Sequence, residues 1–457
     1  MARKPKPSRG SSPITPVATR RKRRRCRRRR PSRPAVLDLK LIREQPDAVR
    51  AALARRGGDV EAGVAGVLEL DRRRRTILPE LESLRAAKNS ASEEIAKAKQ
   101  AGADASGAID AMRTLGQQEK QLEADLAQTD SSLQDALSRL PNLPSEDAPA
   151  SDTVLKTVGT PRTGDRFLDH LELAGPLIDM EAGARLSGAR FAYLRGELVM
   201  LELALVRWVL ERLMTEGFEP VIPPVLVREQ ALYGTGFLPD TEQQIYAVPE
   251  DELYLVGTSE VALASLHAAE ILPADSLPRR YAGFSSCFRR EAGAAGKDTR
   301  GIIRVHQFDK VEMFVFTTAE ASADEHERLL AIEESLLGAL EIPYRVVAIA
   351  VDDLGASAAK KYDCEAWLPS GQRYLELTSC SNTTDFQARR LDIRVRGAAS
   401  GRPVAAHTLN GTAVAVGRTI VALLENGQQT DGSVVLPECL VAYGAPASIA
   451  RQAPGKA

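Results

Sequence analysis

The sequence predicts an α+β protein in which a long antiparallel helical hairpin, a coiled-coil arm, precedes a domain built on a mainly antiparallel β-sheet flanked by helices. Three observations predict this class. Residues 36–140 contain almost no aromatic side chains and repeat apolar residues at helical spacing, a proline-rich segment follows, and beyond residue 152 strand-like runs come in close pairs between amphipathic helices. The length of 457 residues fits two or three domains.

The first 35 residues form a basic, low-complexity segment. Residues 1–34 contain 15 lysines and arginines and no acid, so the rest of the chain has 46 basic against 61 acidic residues, although the whole chain has a net charge of zero. Such a run repels itself as a packed element, and we expect a disordered tail over residues 1–35. Because the remainder is acidic, this protein, if it binds a nucleic acid, must do so through the tail or a local basic patch.

The second region, residues 36–140, is predicted to form the hairpin. Residues 101–107 contain two glycines, which suit a helix end and a turn, and they separate two segments with apolar residues three and four apart. Two helices of similar length joined by a short loop run antiparallel, and each buries a narrow stripe against the other. The stripe comprises Leu70, Ile77, Leu81, Leu84, Ala91, Ile95 and Ala98 in the first helix and Leu115, Leu122, Leu126, Leu133, Ala136 and Leu140 in the second.

Residues 141–151 contain three prolines and are predicted to be a linker. The second large domain is predicted over residues 152–444, and residues 445–457 are expected to be a disordered tail. The predicted strands of this domain include 219–227, 344–350 and 373–378, and the predicted helices lie near 196–216, 319–340 and 412–426.

Composition and motifs exclude several classes of protein. The apolar runs are shorter than the roughly 20 residues that cross a bilayer, no segment resembles a signal peptide, and five scattered cysteines match neither a disulfide framework nor a zinc knuckle. We therefore expect a cytoplasmic protein. Residues 293–298 have two residues between their glycines where a P-loop has four, and no Rossmann fingerprint follows a strand, so both nucleotide folds are disfavoured.

Charged residues inside strand-like sequence point to the chemistry. Arg289, Arg290 and Glu291 follow one predicted strand, Glu376 lies between two leucines in another, and Arg418 lies in the first turns of an apolar helix. Any one of them, taken alone, fits a solvent-facing position. Arginine and glutamate together on several strands of one sheet suggest instead a floor that binds a polyphosphate, with arginines on the oxygens and carboxylates holding Mg²⁺.

These segments resemble the three signature motifs of class II aminoacyl-tRNA synthetases and, in detail, those of bacterial-type seryl-tRNA synthetases. Residues 257–260, Gly-Thr-Ser-Glu, are similar to the amino-acid-binding loop of that family, and the hairpin is similar to its tRNA-binding arm. The resemblance covers about residues 36–444. The long helix with residues 221–224 resembles motif 1; residues 288–293, 296–301 and 304–312 resemble motif 2; and residues 408–418 resemble motif 3.

The resemblance implies the roles of individual residues. Arg289, Arg418 and Glu376 would be catalytic, with Arg289 on the ATP α-phosphate and the serine carboxylate and Arg418 on the γ-phosphate. Glu376 and Ser379 would hold Mg²⁺. The implied ATP-binding residues are Arg289, Arg290, Glu291 at the adenine, Arg304, Val305 and Phe308 lining the adenine site, Glu376, Leu377, Thr378, Ser379 and Arg418. The implied serine-binding residues are Thr258, Ser259, Glu260, Arg289, Glu312, Asn410 and Thr412, the last standing where many members have Ser.

The implied function is ATP-dependent activation of L-serine to seryl-adenylate and transfer of the seryl group to the 3′ end of tRNA(Ser), with tRNA(Sec) as a second acceptor left open. A carboxylate attacking a phosphate brings two anions together, so the step needs positive charge and in-line geometry rather than a general base. The implied partners are tRNA(Ser), L-serine, ATP and Mg²⁺. We expect neither membrane binding nor DNA binding. The implied tRNA-binding residues of the arm, which otherwise form a solvated face, are Arg72, Arg73, Arg75, Lys88, Lys97 and Lys99.

The resemblance also implies a homodimer formed through motif 1, because that helix is more apolar than an exposed helix should be. Val36 stands where family members begin with Met, so we expect the cellular protein to start there. Two alternatives remain at this point: a related amino acid:carrier-protein ligase, which would have a truncated arm, and a non-catalytic RNA-binding paralogue, which would lack motif arginines. The apolar residues of the motif 1 helix are Leu198, Leu201, Leu205, Trp208 and Val209.

Overall fold

The structure is a computed structural model of the chain. The expected basic tail, residues 293–299 of the second motif and the last six residues lie outside the part that it describes. The described residues are 37–58, 60–164, 166–239, 244–292, 300–396 and 401–451.

The arm is a helical hairpin on a small helical base. Two short helices, α1 (Leu39–Glu44) and α2 (Pro46–Ala54), precede the long helices α3 (Val60–Gln100) and α4 (Ser106–Arg139). The turn between the long helices lies within the predicted 101–107 segment. Apolar residues at helical spacing predict these helices well because each long helix buries only a narrow stripe, including Leu81 and Leu133.

The remaining elements form the α+β body, as predicted. Its helices are α5 (His170–Ala174), α6 (Met180–Ser187), α7 (Glu197–Thr215), α8 (Glu229–Thr235), α9 (Glu260–Ala264), α10 (Ser322–Ala339), α11 (Phe386–Leu391), α12 (Val416–Gly427) and α13 (Glu438–Val441). Its strands are β1 (Thr153–Val158), β2 (Ile178–Asp179), β3 (Tyr193–Leu194), β4 (Glu219–Val221), β5 (Leu226–Arg228), β6 (Ala247–Val248), β7 (Leu253–Leu255), β8 (Ile271–Pro273), β9 (Arg279–Phe288), β10 (Gln307–Thr317), β11 (Tyr344–Ala348), β12 (Lys360–Leu368), β13 (Arg373–Asn382), β14 (Arg394–Arg396), β15 (Pro403–Ala405), β16 (His407–Ala415), β17 (Val434–Val435) and β18 (Ser448–Ile449).

Eight strands form the main sheet, in the order β1-β11-β12-β13-β16-β10-β9-β4. Its neighbours are antiparallel except β4 and β9, which run parallel. The largest apolar core packs α7, α10 and α12 against this sheet. The helices therefore leave one face of the central strands β13, β16, β10 and β9 to carry polar side chains.

Three boundary predictions are wrong. The expected C-terminal tail is part of the fold up to residue 451, because Ser448–Ile449 pairs with Val434–Val435 and Ile449 is fully buried. The run 219–227 is not one strand but β4 and β5, which belong to different sheets. The helix predicted from residue 412 begins at Val416, because residues 407–415 complete the sheet as β16.

The five apolar residues of the motif 1 helix, on which the expectation of a dimer rests, do not lie on the surface. All five are buried within the chain's own core, where α7 packs on the sheet. Other apolar residues of the same helix remain exposed, namely Val199, Met200 and Leu203. Among the described residues, no helix combines the length and the hydropathy that a membrane span needs.

Candidate active site

Two adjoining cavities lie on the polar face of the central strands. Their volumes are about 300 and 340 Å³. We call them the arginine cavity and the carboxylate cavity, after the side chains that line them. Four residues line both cavities and mark the place where they meet: Arg289, Lys310, Glu376 and Thr412.

Arg289 is fixed at this junction by its neighbours. It follows the last residue of β9, and its backbone N–H donates to the carbonyl of His306 at 2.9 Å. The Nδ1 of His306 lies 2.9 Å from the carbonyl oxygen of Arg289, where it must donate. The Arg289 Nε donates to the Gly257 carbonyl at 3.1 Å, and the guanidinium lies over Phe308, 5.4 Å from the ring centroid. His306 thus has a structural role, because it holds the backbone of Arg289 in place.

Two further arginines line the arginine cavity. Arg304 Nη1 donates to the Glu291 carboxylate at 2.6 Å. Arg418, in the first turn of α12, donates from Nε to the Ile303 carbonyl at 3.2 Å and from Nη1 to the Glu376 carbonyl at 2.8 Å. Apolar side chains complete the wall between these charged groups, including Val305, Phe308 and Leu377.

A β-bulge determines which side chains of β13 reach the cavities. In the register of β12 and β13, Leu377 is an extra residue, because Cys364 pairs with Thr378 and Glu365 pairs with Glu376. Bulges re-aim the side chains that follow them. Glu376 and Ser379 therefore both line the carboxylate cavity.

The same bulge turns Thr378 away from the site. Thr378 is buried and is not among the residues that line either cavity, and its hydroxyl donates to Glu333 of α10 at 2.8 Å. Burial holds the pKa of Glu333 well above its ordinary value. The Thr378 hydroxyl is therefore directed away from both cavities, and its contact with ATP stays a prediction.

The carboxylate cavity contains a network around Glu312. Lys310 forms an ion pair with Glu312 and donates to the Thr258 hydroxyl at 2.7 Å. The Thr412 hydroxyl donates to the Glu312 carboxylate at 3.5 Å. Lys310 was not predicted as a site residue, although it stands two residues before Glu312 on one strand, a spacing that puts both side chains on the same face.

Glu260 forms the far end of this cavity. Gln387 Nε2 donates to its carboxylate at 2.7 Å. Burial and the nearby Glu312 raise the pKa of Glu260 to about 7, against the opposing charges of Lys310 and Arg289. A carboxylate that is costly to ionise here gains from a positively charged ligand.

The side-chain oxygen of Asn410 is a further polar atom in this cavity that a ligand could bind. The Oδ1 of Asn410 is buried and has no hydrogen-bond partner among the described residues. A buried acceptor without a partner is costly, so it favours a ligand that donates to it. Opposite lies the end of α8, where Thr235, Gly236 and Phe237 form one wall.

Two other predicted residues lie outside the cavities. Ser259 is fully buried, and its hydroxyl donates to the Gly283 carbonyl at 3.1 Å. Its contact with serine stays a prediction. Arg290 is exposed, and its guanidinium lies near the Tyr246 ring rather than in the arginine cavity. The other predicted serine and ATP residues line one cavity or both.

The basic residues of the arm are distributed along its length. Arg72 pairs with Glu69, Arg75 with Asp71 and Lys88 with Glu119, all with partners in the arm itself. Of these, only the pair of Arg72 with Glu69 is exposed on both sides, and such pairs contribute little stability, whereas Asp71 is buried. Arg73 is exposed on α3, and Lys97 and Lys99 are exposed in its last turn, next to the tip of the hairpin.

Known proteins resemble the chain over nearly all of its described length. The family "Seryl-tRNA synthetase N-terminal domain" matches residues 36–144, and "tRNA synthetase class II core domain (G, H, P, S and T)" matches residues 245–427. A serine–tRNA ligase of Thermobifida fusca is 51% identical over 412 residues, which cover 89% of this chain and 96% of that relative.

Two solved structures extend the likeness to the fold. A seryl-tRNA synthetase of Pyrococcus horikoshii complexed with ATP has a TM-score of 0.85 at 40% identity and covers 91% of this chain and 100% of that one. A cytoplasmic serine–tRNA ligase of Naegleria fowleri in complex with AMP has a TM-score of 0.80 at 31% identity, covering 92% and 100%. The chain therefore belongs to the seryl-tRNA synthetases, class II enzymes that activate serine with ATP and transfer it to tRNA.

Proposed function

We propose that serine binds in the carboxylate cavity and ATP in the arginine cavity, so that the two substrates meet at Arg289. The observation that carries this assignment is the position of Arg289 in the walls of both cavities. One guanidinium can donate to two anions at once, because its terminal amino groups offer several N–H donors in a fixed plane.

The chemical step follows from this arrangement. The serine carboxylate attacks the α-phosphorus of ATP, the bond to the β-phosphate breaks, and pyrophosphate leaves with the electron pair. Arg289 reduces the repulsion between the two anions and stabilises the charge on the α-phosphate oxygens. No side chain has to remove a proton, because the carboxylate is already ionised at neutral pH.

The ATP contacts follow the cavity wall. We assign the adenine to the apolar part near Val305 and Phe308, with Glu291 held in place by Arg304, and the γ-phosphate to Arg418.

Transfer completes the cycle: a ribose hydroxyl at the 3′ end of tRNA(Ser) attacks the carbonyl carbon of seryl-adenylate, and AMP leaves. The substrates ATP and tRNA are cytoplasmic, and we propose that compartment for the enzyme.

The residues of β13 fit a magnesium ion. Mg²⁺ prefers oxygen ligands and usually binds one or two carboxylates together with substrate phosphates. Glu376 before the bulge and Ser379 after it both present such oxygens to the carboxylate cavity, and the Oδ1 of Asp363, which pairs with Ser379 in the register, is buried without a partner among the described residues. When bound with ATP, Mg²⁺ would neutralise phosphate charge there.

Serine selectivity is assigned to the polar groups of the carboxylate cavity. Glu312, Thr412 and Asn410 offer hydrogen-bond partners for the serine hydroxyl and ammonium groups. An analogue without the hydroxyl leaves such buried groups unpaired, which costs on the order of 10⁴-fold in favourable cases. The complete arm and the motif arginines make a carrier-protein ligase and a non-catalytic paralogue poorer fits.

The decisive experiment is ATP–pyrophosphate exchange with serine, alanine, threonine and glycine as alternative substrates. We expect exchange with serine at a kcat/KM exceeding that of each other amino acid by on the order of 10³-fold or more. Equal exchange with alanine would contradict the assignment of the cavity. Absence of exchange with every amino acid would contradict the proposed chemistry itself.

The raised pKa of Glu260 predicts a pH-dependent serine affinity. As the pH falls through about 7, Glu260 takes up a proton and loses its attraction for the serine ammonium group. We expect the serine KM to rise about tenfold between pH 8 and pH 6, as for a group that passes from mostly ionised to mostly protonated. Glu260→Gln should give a high serine KM that no longer depends on pH. A parallel profile in both proteins would show that another group titrates.

We also propose that two copies associate through the exposed apolar side of α7. Val199, Met200 and Leu203 are 38, 49 and 57% exposed, and Ile222 beyond β4 is 82% exposed. Side chains three and four apart share one helix face, so Val199, Met200 and Leu203 form a continuous patch.

Sedimentation tests this association. At micromolar concentration we expect about twice the chain mass of 49.4 kDa. Leu203→Glu should shift the equilibrium toward the monomer, because it places a charge in the apolar patch. Val154→Glu, at an equally exposed apolar residue of β1, is the matched control and should leave the mass unchanged. A wild-type monomer would rule out the dimer.

A further inference from the structure

The short helix α11 carries a fully buried arginine that the proposed chemistry does not use. Arg390 is only 2% exposed and is among the largest buried side chains of the described part of the chain. Its guanidinium lies between two aromatic rings, 4.2 Å from the centroid of Phe386 and 4.9 Å from that of Tyr233. Burying a guanidinium is costly, so its hydrogen-bond partners decide what the residue does.

Those partners are three backbone carbonyls from two separate segments. Nη1 donates to the carbonyl of Tyr233 at 2.8 Å and to that of Leu238 at 3.3 Å. Nη2 donates to the carbonyl of Ser138 at 3.0 Å. Ser138 lies at the end of α4, where helix carbonyls lack intrahelical partners and a cation is favoured. One side chain therefore holds the base of the arm and both ends of the segment 233–238.

That segment is the wall of the carboxylate cavity. Thr235, Gly236 and Phe237 line the cavity, and all three lie between the two carbonyls that Arg390 binds. The fit against α11 is close, because a Cβ on Gly234 would lie 2.2 Å from a methyl group of Leu391. Moving Arg390 would therefore move the wall.

A second contact leads from α11 to the amino-acid site. Gln387, one turn before Arg390, donates to the Glu260 carboxylate and lies 3.5 Å from the Thr235 carbonyl. The Thr408 hydroxyl donates to the Gln387 side-chain oxygen at 2.9 Å. Helix α11 thus contacts the base of the arm through Arg390 and contacts Glu260, the residue proposed to bind the serine ammonium group, through Gln387.

We propose that Arg390 is a positioning residue for serine binding, which fixes the wall 233–238 of the carboxylate cavity between the base of the arm and α11. It makes no contact with ATP in this assignment, because the residues it holds line only the carboxylate cavity. The inference rests on the proposed location of serine.

The experiment compares three variants of the full chain. Arg390→Met removes the donors and keeps an apolar side chain that fills the space between the rings, Arg390→Lys keeps one charged donor, and Arg389→Gln is the matched control. Arg389 is the preceding residue of α11 and pairs with Asp385 and Asp38, neither of which belongs to the wall. Serine and ATP KM values are measured by pyrophosphate exchange, and amide hydrogen exchange of residues 233–238 is measured without substrates.

We expect Arg390→Met to raise the serine KM about tenfold or more, with the ATP KM within about twofold of wild type. Amide exchange of 233–238 should be at least about tenfold faster, Arg390→Lys should restore part of both losses, and Arg389→Gln should match wild type. Unchanged amide exchange, or serine and ATP KM values that rise together, would overturn the inference. Wild-type chain without serine-dependent exchange would instead overturn the proposed function, while the amide-exchange comparison would still decide whether Arg390 fixes the wall.

Discussion

Shortening the arm should abolish efficient tRNA charging and leave serine activation almost intact. We expect the kcat/KM for tRNA(Ser) to fall on the order of 10²-fold or more, because contacts to phosphates dominate affinity for nucleic acids. Pyrophosphate exchange with serine should stay within about twofold of wild type, since the cavities lie in the body. Both activities are measured on the same preparation.

The contacts along the hairpin show where to cut it. Arg74 pairs with Asp130 and Arg85 with Glu119, which fixes one antiparallel register. Ile77 and Ala127 each lie three residues beyond the pair of Arg74 with Asp130, toward the tip, so residues 78–126 can be replaced by a short glycine linker that leaves this pair in place. Removal of the whole region 36–140 would be a poor experiment, because its lower part shares a core with the body.

That shared core is visible in the contacts of the arm base. Leu133 and Leu137 of α4 lie in one buried apolar cluster with Tyr233 and Phe386, and Arg390 binds the Ser138 carbonyl. The linker is held just as firmly, because Asn142 is buried and donates to the Thr383 carbonyl at 2.8 Å. The shortened chain retains all of these contacts, so a loss of charging reports on the removed part.

A second variant separates charge from length. Lys97→Glu with Lys99→Glu reverses the charge near the tip and leaves the arm complete. If the tip contacts phosphates, the variant should also charge tRNA poorly, and its tRNA affinity should fall less steeply with salt, by roughly 0.7 to 0.9 log units per log unit of salt for each lost contact. Normal charging by the shortened chain would refute tRNA binding by residues 78–126 of the hairpin.

Local periodicity predicted the long elements of the fold. The hairpin turn lies between Gln100 and Ser106, inside the segment predicted from its glycines. Such predictions succeed where each residue's environment depends on neighbours three or four positions away. They failed at the C-terminus, because the burial of Ile449 depends on pairing with Val434, which no local pattern reveals.

The positions of several side chains in and near the site also depend on long-range contacts that a local pattern does not reveal. Alternation along a strand places Glu376 and Thr378 on one face, and only the bulge at Leu377, which is set by pairing with β12, separates them. The Ser259 side chain is buried because α9, which it directly precedes, packs against β9, where its hydroxyl binds the Gly283 carbonyl. Gln387 was missed since nothing in the sequence connects it with Glu260, 127 residues earlier.

Replacement of Arg289 by Lys should reduce the rate of adenylate formation by about 10²-fold or more. Lysine keeps the positive charge but loses the planar fork. All donors of an ammonium group lie on one nitrogen, so they cannot reproduce the Nε–H that binds Gly257 together with parallel bonds to a carboxylate and a phosphate. Because Arg289 lines both cavities, we expect the KM values for serine and ATP to rise together. Single-turnover formation of seryl-adenylate without tRNA measures the step directly.

Arg280→Lys is the matched control for this replacement. Arg280 lies on β9, the strand that Arg289 directly follows, and its guanidinium binds the Glu325 carboxylate through Nε and Nη2, away from both cavities. It loses the same kind of fork, so any general effect of the exchange on β9 should appear in both variants. We expect Arg280→Lys to form the adenylate within about threefold of the wild-type rate. If Arg289→Lys also formed the adenylate within about threefold of the wild-type rate, with an unchanged melting temperature, Arg289 would not be the group that brings the two anions together. The junction of the cavities would then need another cation. Lys310 is the nearest candidate, because it also lines both cavities.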